Sequence, residues 1–200
     1  NVVTLSEGDV PFGKRVILDH SAGEISTEEA DELVKALNDA LPLEGRHLYT
    51  GVSYRHCMIW RGADPTYNFA RPHDHLGEKI GAYLPRVADG GAAFLEFMEK
   101  GFAVLDHHPV NERRRAQGKN PANAPWLWSP GRKPALPSFK DEWHLDASIV
   151  CAVDLIKGIG ICAGCEVIPV PGATGNYYTN YLGKGEAAID AFRRGRDLVY

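Results

Sequence analysis

The sequence predicts an α+β fold, a two-layer sandwich in which helices cover a mixed or mostly antiparallel sheet, with a β-α-β flank at the C-terminal end. Strand-like and helix-like segments alternate along 200 residues, of which 44% are hydrophobic, enough for a sizeable core. Several strand-like segments alternate polar with apolar residues, which is typical of strands that keep one face in water. Helices on one side of such a sheet give two layers.

The individual elements follow from local patterns. The run 14–19 predicts a strand, and Ser26-Thr-Glu-Glu is a helix N-cap signal. Apolar residues then recur at helical spacing up to Leu41, and Pro42 ends that helix. A second strand is predicted over 52–60. The other predicted helices are 77–84, 90–105, one from Asn111 that breaks at Gly118, 154–164 and 187–194. The other predicted strands are 126–128, 148–153, 166–170 and one that starts at Asp197.

Charge and hydropathy exclude several classes of function. The net charge is −4 and the isoelectric point is about 6.1, a balance that argues against a duplex-binding face and predicts no nucleic-acid partner. No apolar run approaches the ~20 residues that span a bilayer, and the first residues lack a secretion signal. We therefore expect no association with a membrane and a cytoplasmic location. The pair Cys162 and Cys165 has redox spacing but falls near a predicted helix end, so we interpret both as packing thiols.

Polar residues beside glycines are concentrated between Ser148 and Ala187. Asp154 and Lys157 precede Gly158, and two further clusters fall at 170–175 and 179–184. Glycine allows close backbone approach or a positive φ, so such clusters are typical of a binding site. Asp154 and Lys157 share a helix face, which also fits a local ion pair. The 170–180 segment fits an anion-binding turn and a structural loop equally well.

Several blocks in fixed order resemble the archaeal-type branch of the cofactor-independent phosphoglycerate mutases, which belong to the alkaline phosphatase-like metalloenzyme superfamily. The similarity extends over nearly the whole chain. The blocks are Asp19-His20-Ser21-Ala22-Gly23-Glu24-Ile25-Ser26, Gly51-Val-Ser-Tyr54-Arg55-His56, Pro72-His73-Asp74, His108-Pro-Val-Asn111 with Arg114, Pro121-Ala-Asn123, and the Ser148–Ala187 stretch.

The resemblance implies a fragment of a larger enzyme. Residues 1–147 would be an inserted cap that covers the substrate, and residues 148–200 a return segment that leads into a phosphatase core. That core would hold the nucleophilic serine and two divalent ions, manganese or magnesium. The chain lacks the family's core motifs, so we expect no catalytic residue, no metal and no cofactor in it, and no turnover from it alone. Its partners would be a phosphoglycerate and the missing core of the same polypeptide.

The resemblance also implies a set of substrate-binding residues. They are Asp19, Arg55, His56, His73, Asp74, Asn111, Arg114, Asn123 and Lys157. For most of them the residues alone leave a structural alternative open: a salt bridge for Arg55, and a turn or helix cap for Asn111 and Asn123. On a regular strand Arg55 and His56 face opposite sides. We expect His73-Asp74-His75 to act structurally or on the substrate side and not as a metal site.

The implied reaction interconverts 3-phosphoglycerate and 2-phosphoglycerate through a phosphoserine, with the cap keeping water from that intermediate. One departure concerns the first block, where many archaeal members carry arginines and this chain has His20, Ser21 and Glu24. This departure leaves the identity of the phosphoester substrate open. The alternatives are another phosphotransferase of the superfamily, homoserine-kinase-like, and a non-catalytic phosphometabolite-binding module whose reading frame ends near Tyr200.

Overall fold

The structure is a computed structural model that describes residues 1–199 in two compact units, one over 1–132 and one over 133–199. The strands of the first unit are β1 (Val2–Leu5), β2 (Ile17–Asp19), β3 (Arg46–Thr50), β4 (His56–Trp60) and β5 (Ala124–Pro125). Its helices are α1 (Thr27–Ala40), α2 (Ala92–Leu105) and α3 (Pro109–Ala116). Short 3-10 helices cover Phe12–Lys14, Pro72–Asp74, Ile80–Ala82 and Val87–Asp89.

The first unit has two small antiparallel sheets. In one, β1 lies between β2 and β5, with Thr4 opposite Asp19 and Val2 opposite Pro125. In the other, β3 and β4 pair from Arg46 with Trp60 to Thr50 with His56. Helices α1 and α2 pack against each other, α1 also against β3 and α2 against β5, so helices cover these small sheets. Their apolar faces fill one core.

Helix α1 forms where its sequence signal predicts. The Ser26 hydroxyl accepts a hydrogen bond from the Glu29 backbone N–H, which satisfies one of the free donors at the helix start. The apolar positions at helical spacing are buried: Ala30, Leu33, Val34 and Leu37. Burying this stripe, at about 25 cal/mol per Å² of apolar surface, is the main contribution of α1 to stability.

The second unit is a three-stranded parallel sheet with helices. Its strands are β6 (Ala147–Ile149), β7 (Glu166–Val167) and β8 (Asp197–Val199), and its helices are α4 (Phe139–Trp143), α5 (Asp154–Cys162) and α6 (Tyr181–Arg193). Both β7 and β8 pair in parallel with β6, so the strand order is β7-β6-β8. The chain leaves β6 through α5 for β7, then crosses back to the other side of β6. The predicted β-α-β flank is therefore confirmed, and so is the α+β class.

Some predicted elements differ from the structure. The strand predicted over 126–128 is wrong, because β5 ends at Pro125 and only Trp126 continues its pairing, through backbone hydrogen bonds with Asn1. Of the strand predicted over 52–60, only 56–60 is extended, because Val52–Arg55 forms a turn closed by a 3.2 Å backbone hydrogen bond. The predicted helix 77–84 is reduced to one 3-10 turn, Ile80–Ala82.

Other differences concern bounds. Strands β1 and β3 and helix α4 were not predicted, and α6 begins at Tyr181 instead of 187. The strand predicted from Asp197 is present up to Val199, and its predicted continuation at Tyr200 lies outside the described residues. Within residues 1–199, no helix is long and apolar enough to cross a lipid bilayer.

Candidate functional site

The Asp19 loop, residues 19–24, follows β2 in an unusual backbone conformation. Ala22, Gly23 and Glu24 all have positive φ, of 50°, 66° and 52°. Non-glycine residues rarely adopt this region, because the side chain approaches the following carbonyl oxygen. Surrounding interactions must therefore fix the loop, and strained segments of this kind concentrate at functional sites.

The Asp19 carboxylate organises the loop from inside. Its Oδ1 accepts from the backbone N–H and the hydroxyl of Ser21, both at 2.8 Å. Its Oδ2 accepts from the Gly23 N–H at 2.6 Å and from the Asn120 side-chain amide at 2.9 Å. Burial alone would raise the pKa of Asp19, but hydrogen bonds from Ser21, Asn120 and Gly23 outweigh it and lower the pKa below its usual value.

Arg114 fixes the loop from outside. Its side chain is only 4% exposed and pairs with Glu29, with 2.5 Å between Nη1 and Oε2. Nη2 donates to the Ala22 carbonyl oxygen at 2.6 Å and Nε to the Asn120 carbonyl oxygen at 2.7 Å. Arg114 therefore binds main chain and a carboxylate of its own protein. A cavity of about 430 Å³ lies beside it, lined by Gly23, Glu24, Ser26, Glu29, Arg114, Gly118, Lys119 and Asn120.

Arg55 presents a cation at the surface. It ends the Val52–Arg55 turn, and its guanidinium carbon lies 4.0 Å from the centroid of the Tyr54 ring. Tyr54 is buried, with 6% exposure, whereas Arg55 is exposed. Within residues 1–199 the Arg55 guanidinium forms no ion pair, so the salt-bridge alternative has no support there. A guanidinium held flat on an aromatic ring keeps its N–H groups available for an anion.

Two imidazoles and an indole extend this surface. The His20 ring contacts Tyr54 edge-on with centroids 5.6 Å apart and lies 6.0 Å from the His73 ring. His73 in turn lies 5.3 Å from the Trp128 ring. We call these five residues, Arg55, Tyr54, His20, His73 and Trp128, the Arg55 face. The structure thus brings together Arg55, His73 and the Asp19 loop from distant blocks of the sequence.

Sequence reasoning did not place His20 and Trp128 in the site. The His20 position was noticed only as a departure from the arginines of related sequences. Its Nδ1 atom is buried without a hydrogen-bond partner in the described part of the chain. A histidine within a glycine-containing block was the available signal for His20. Trp128 was predicted only as part of a strand over 126–128, and its contact with His73 connects positions far apart in sequence.

His56 is directed inward, away from solvent. Its Nδ1 accepts from the Gly51 N–H at 3.3 Å, and its Nε2 is buried without a partner among residues 1–199. Burial lowers the pKa of His56 from 6.5 to about 3. Its neighbour Arg55 is exposed, but it lies in the turn before β4, so the alternation expected of a regular strand does not apply to this pair.

Lowering the pH is expected to destabilise the chain through His56. The unfolded chain takes up a proton near pH 6.5, whereas the folded chain does so only near pH 3. The contribution of this group to the free energy of unfolding is therefore constant above about pH 7 and is lost as the pH falls from 6.5 towards 3. Urea unfolding of the wild type and of His56→Asn at about pH 7.5 and about pH 5 measures the effect. The variant should lose less stability; equal losses would contradict the prediction.

The His73-Asp74-His75 segment does not converge on one point. His73 lies against Trp128, with its Nε2 3.7 Å from Asp74 Oδ1. His75 instead stacks on Tyr83, with ring centroids 3.7 Å apart. Throughout residues 1–199, no three His, Cys, Asp or Glu side chains are placed to hold a metal ion together. His73 and His75 are therefore not arranged to share one ion.

Asn111 and Asn123 are both completely buried. The Asn111 amide donates to the carbonyl oxygens of Leu105 and Ala122 and accepts from the Ala122 N–H. Asn123 bonds both the N–H and the carbonyl oxygen of Leu5, at 2.7 and 3.1 Å. The polar atoms of both side chains thus bond to main chain, which favours a structural role for each. A ligand role for Asn111 or Asn123 stays a prediction, and no contact supports it.

In the second unit, Lys157 and Asp154 form the local pair that their spacing indicates, with 3.5 Å between Nζ and Oδ1. The glycine-rich segment before α6 is organised by Asn180, whose Oδ1 accepts from the Gly183 N–H and whose Nδ2 donates to the Pro171 carbonyl oxygen, both at 2.9 Å. All four cysteines are unpaired, and burial raises the pKa of the Cys165 thiol, which does not favour a reactive thiolate.

Similar proteins align with this chain along nearly its whole length. A family model described as 2,3-bisphosphoglycerate-independent phosphoglycerate mutase matches residues 1–111. The chain is 42% identical over 209 residues to a probable 2,3-bisphosphoglycerate-independent phosphoglycerate mutase of Geobacter sulfurreducens, covering 99% of this chain and 52% of that protein. It is 43% identical over 202 residues to the enzyme of that name from Methanosarcina acetivorans, covering 100% of this chain and 48% of that protein. The chain therefore spans about half the length of the curated relatives it matches.

Solved structures agree with this similarity. A protein of Pyrococcus horikoshii superposes with a TM-score of 0.62 at 26% identity, covering 100% of this chain and 44% of that one. A cofactor-independent phosphoglycerate mutase of Thermoplasma acidophilum superposes with a TM-score of 0.51 at 25% identity, covering 100% of this chain and 52% of that one.

Proposed function

The chain belongs to the 2,3-bisphosphoglycerate-independent phosphoglycerate mutases, and from this we propose that it is the substrate-covering portion of an enzyme that interconverts 3-phosphoglycerate and 2-phosphoglycerate. The match over about half the length of its relatives supports the view that a further part supplies the rest of the enzyme. In this proposal that part holds the nucleophilic serine and the divalent ions, and this chain alone does not turn over substrate.

The Arg55 face is the observation that carries the proposal. A phosphoglycerate has a phosphate and a carboxylate, and both need cationic or N–H-rich partners. Arg55 supplies an exposed guanidinium fixed on the Tyr54 ring, the His20 ring contacts that same ring, and the His73 ring lies next to His20. We propose Arg55, His73 and His20 as the substrate-facing side chains, with Asp19 and Arg114 holding the loop that carries His20. Asp74 lies beside His73 and is kept as a proposed peripheral contact.

The chemistry of this portion would be binding and exclusion of water. A phosphoryl group that leaves the substrate for a serine must return to the neighbouring hydroxyl of the same glycerate before water attacks it. A cap that holds the glycerate by its charged groups keeps it close while it reorients and covers the intermediate. The Arg55 face would thereby set the ratio between transfer to glycerate and loss of phosphate to water.

The second unit contributes to the proposal through its topology. In open parallel sheets, ligands bind at the carboxyl ends of strands where the connection reverses direction. With the order β7-β6-β8 that point lies between β6 and β8, and Lys157 follows β6 in the first turn of α5. We therefore keep Lys157 as a separate proposed contact.

The proposed division into a cap over 1–147 and a return segment over 148–200 differs from the compact units, whose boundary along the chain falls between Arg132 and Lys133.

An assay of the full-length protein tests the proposal. Phosphorus NMR should show conversion of 3-phosphoglycerate into 2-phosphoglycerate without added 2,3-bisphosphoglycerate, and inorganic phosphate should accumulate far more slowly. A parallel reaction with homoserine and ATP tests the homoserine-kinase-like alternative, which the changed residues His20, Ser21 and Glu24 keep open. Binding of 3-phosphoglycerate with no reaction in either assay would favour the non-catalytic module. The cytoplasmic location stays part of this proposal.

A further inference from the structure

We propose that Ser53 is a positioning residue that couples the Asp19 loop to the Arg55 guanidinium. The inference rests on the proposed function, because it concerns how the substrate-facing cation is placed. Ser53 itself does not face the substrate in this proposal. It acts through the turn that carries Tyr54 and Arg55.

Ser53 connects two segments that are distant in sequence. Its hydroxyl donates to the Ile25 carbonyl oxygen at 2.7 Å, directly after the Asp19 loop. Its backbone N–H donates to the Thr27 hydroxyl oxygen at 3.0 Å, at the start of α1. These hydrogen bonds span 28 and 26 residues. Both are made by the residue directly before Tyr54, and they fix the Val52–Arg55 turn to the segment that follows the Asp19 loop.

The backbone at Ser53 is also strained. Its φ is +57°, and only four other non-glycine residues of the 199 described share this region: Ala22, Glu24, Ser129 and His144. Three of the five, Ala22, Glu24 and Ser53, thus lie in the two segments that the Ser53 hydroxyl joins. Glycine or asparagine would adopt this conformation more easily than serine. The backbone conformation alone therefore does not explain a serine at this position, whereas the hydrogen bond of its hydroxyl to Ile25 does.

The position of Ser53 predicts a local effect. Tyr54 stays tethered without the Ser53 hydroxyl, because its carbonyl oxygen accepts from the Val2 N–H at 3.1 Å and its side chain is buried. Loss of the hydroxyl should therefore leave the fold intact but free the turn to shift. Arg55 and the Tyr54 ring would then move relative to His20, whose ring now lies 5.6 Å from that of Tyr54.

The test is Ser53→Ala in the full-length protein. We expect KM for 3-phosphoglycerate to rise about tenfold with a smaller change in kcat, because the mispositioned cation weakens binding. Ser129→Ala is the matched control: Ser129 is also a serine with positive φ, 51°, and its hydroxyl forms no hydrogen bond among residues 1–199. It should leave KM unchanged. Ser53→Asn, which suits the backbone and keeps a polar group, should restore part of the loss.

A double-mutant cycle separates positioning from a general structural effect. If Ser53 acts through Arg55, then Ser53→Ala should have no further effect on KM in an Arg55→Ala background. Additive effects would overturn the inference, as would equal KM values for Ser53→Ala and Ser129→Ala. Should Ser53→Ala fail to fold, the same comparison is made with Thr27→Val against Thr27→Ser, because only serine retains the oxygen that accepts from the Ser53 N–H. A wild type without mutase activity would instead refute the proposed function.

Discussion

Replacing Arg55 by alanine in the full-length protein is expected to lower kcat/KM for 3-phosphoglycerate by about 100- to 1,000-fold. The guanidinium is exposed, lies 4.0 Å from the Tyr54 ring centroid and is not neutralised by an ion pair among residues 1–199. It is therefore preorganised for an anion, and no other side chain of the Arg55 face carries a permanent positive charge. Release of inorganic phosphate, relative to transfer, should increase because the glycerate is held less firmly.

Two further variants sharpen this experiment. Arg55→Lys keeps the charge but loses the planar group that stacks and binds bidentately, so its kcat/KM should lie between those of wild type and alanine variant. Arg61→Ala is the matched control, because Arg61 is an exposed arginine beyond the opposite end of β4. It should leave the kinetics unchanged. Unchanged transfer and unchanged phosphate release in Arg55→Ala would refute the role of the Arg55 face.

Replacing Asn123 by alanine is expected to lower the free energy of unfolding by about 2–4 kcal/mol. The side chain is fully buried and bonds both main-chain groups of Leu5, in the central strand β1. Its amide also donates to Asp106 Oδ1 at 3.1 Å. Alanine would leave the N–H and the carbonyl oxygen of Leu5 without partners in the core, and unsatisfied buried polar groups cost more than the hydrogen bond itself provides.

Urea unfolding of the chain measures the effect of Asn123→Ala. Asn68→Ala serves as control, because Asn68 is exposed and its side chain forms no hydrogen bond within residues 1–199. It should change stability by less than about 0.5 kcal/mol. An equally small loss of unfolding free energy in Asn123→Ala would show that β1 does not depend on this amide. The ligand role of Asn123 would then again be an open alternative.

Local signals predicted part of the fold. The Ser26 cap and the apolar spacing located α1, because both depend only on neighbours within a few residues. Strand β1 was missed because all its residues are buried and no alternation marks it. Tyr181, where α6 begins, lies among glycines and polar residues, which favour loops. Its N-cap, Asn180, was interpreted as part of either an anion-binding turn or a structural loop, not as a helix start.

The site was less predictable than the fold, because its roles depend on contacts between distant positions. Arg114 is an arginine of the kind that binds phosphate, yet it reaches Ala22, 92 residues away. Asn123 reaches Leu5, 118 residues away. Sequence patterns do not distinguish an arginine or asparagine that binds main chain from one that binds a ligand. Arg55 was easier to predict because the aromatic ring on which its guanidinium lies belongs to the adjacent residue, Tyr54.

The way Asp19 is satisfied has a consequence for how substrate choice could change during evolution. Both oxygens of its carboxylate are occupied by Ser21, Gly23 and Asn120, so the shape of the loop is determined from within. The side chains of His20 and Glu24 take no part in those bonds. Exchanging them would alter the charge offered to a ligand and remove no hydrogen bond of Asp19, so selection for another ligand at these two positions need not rebuild those bonds.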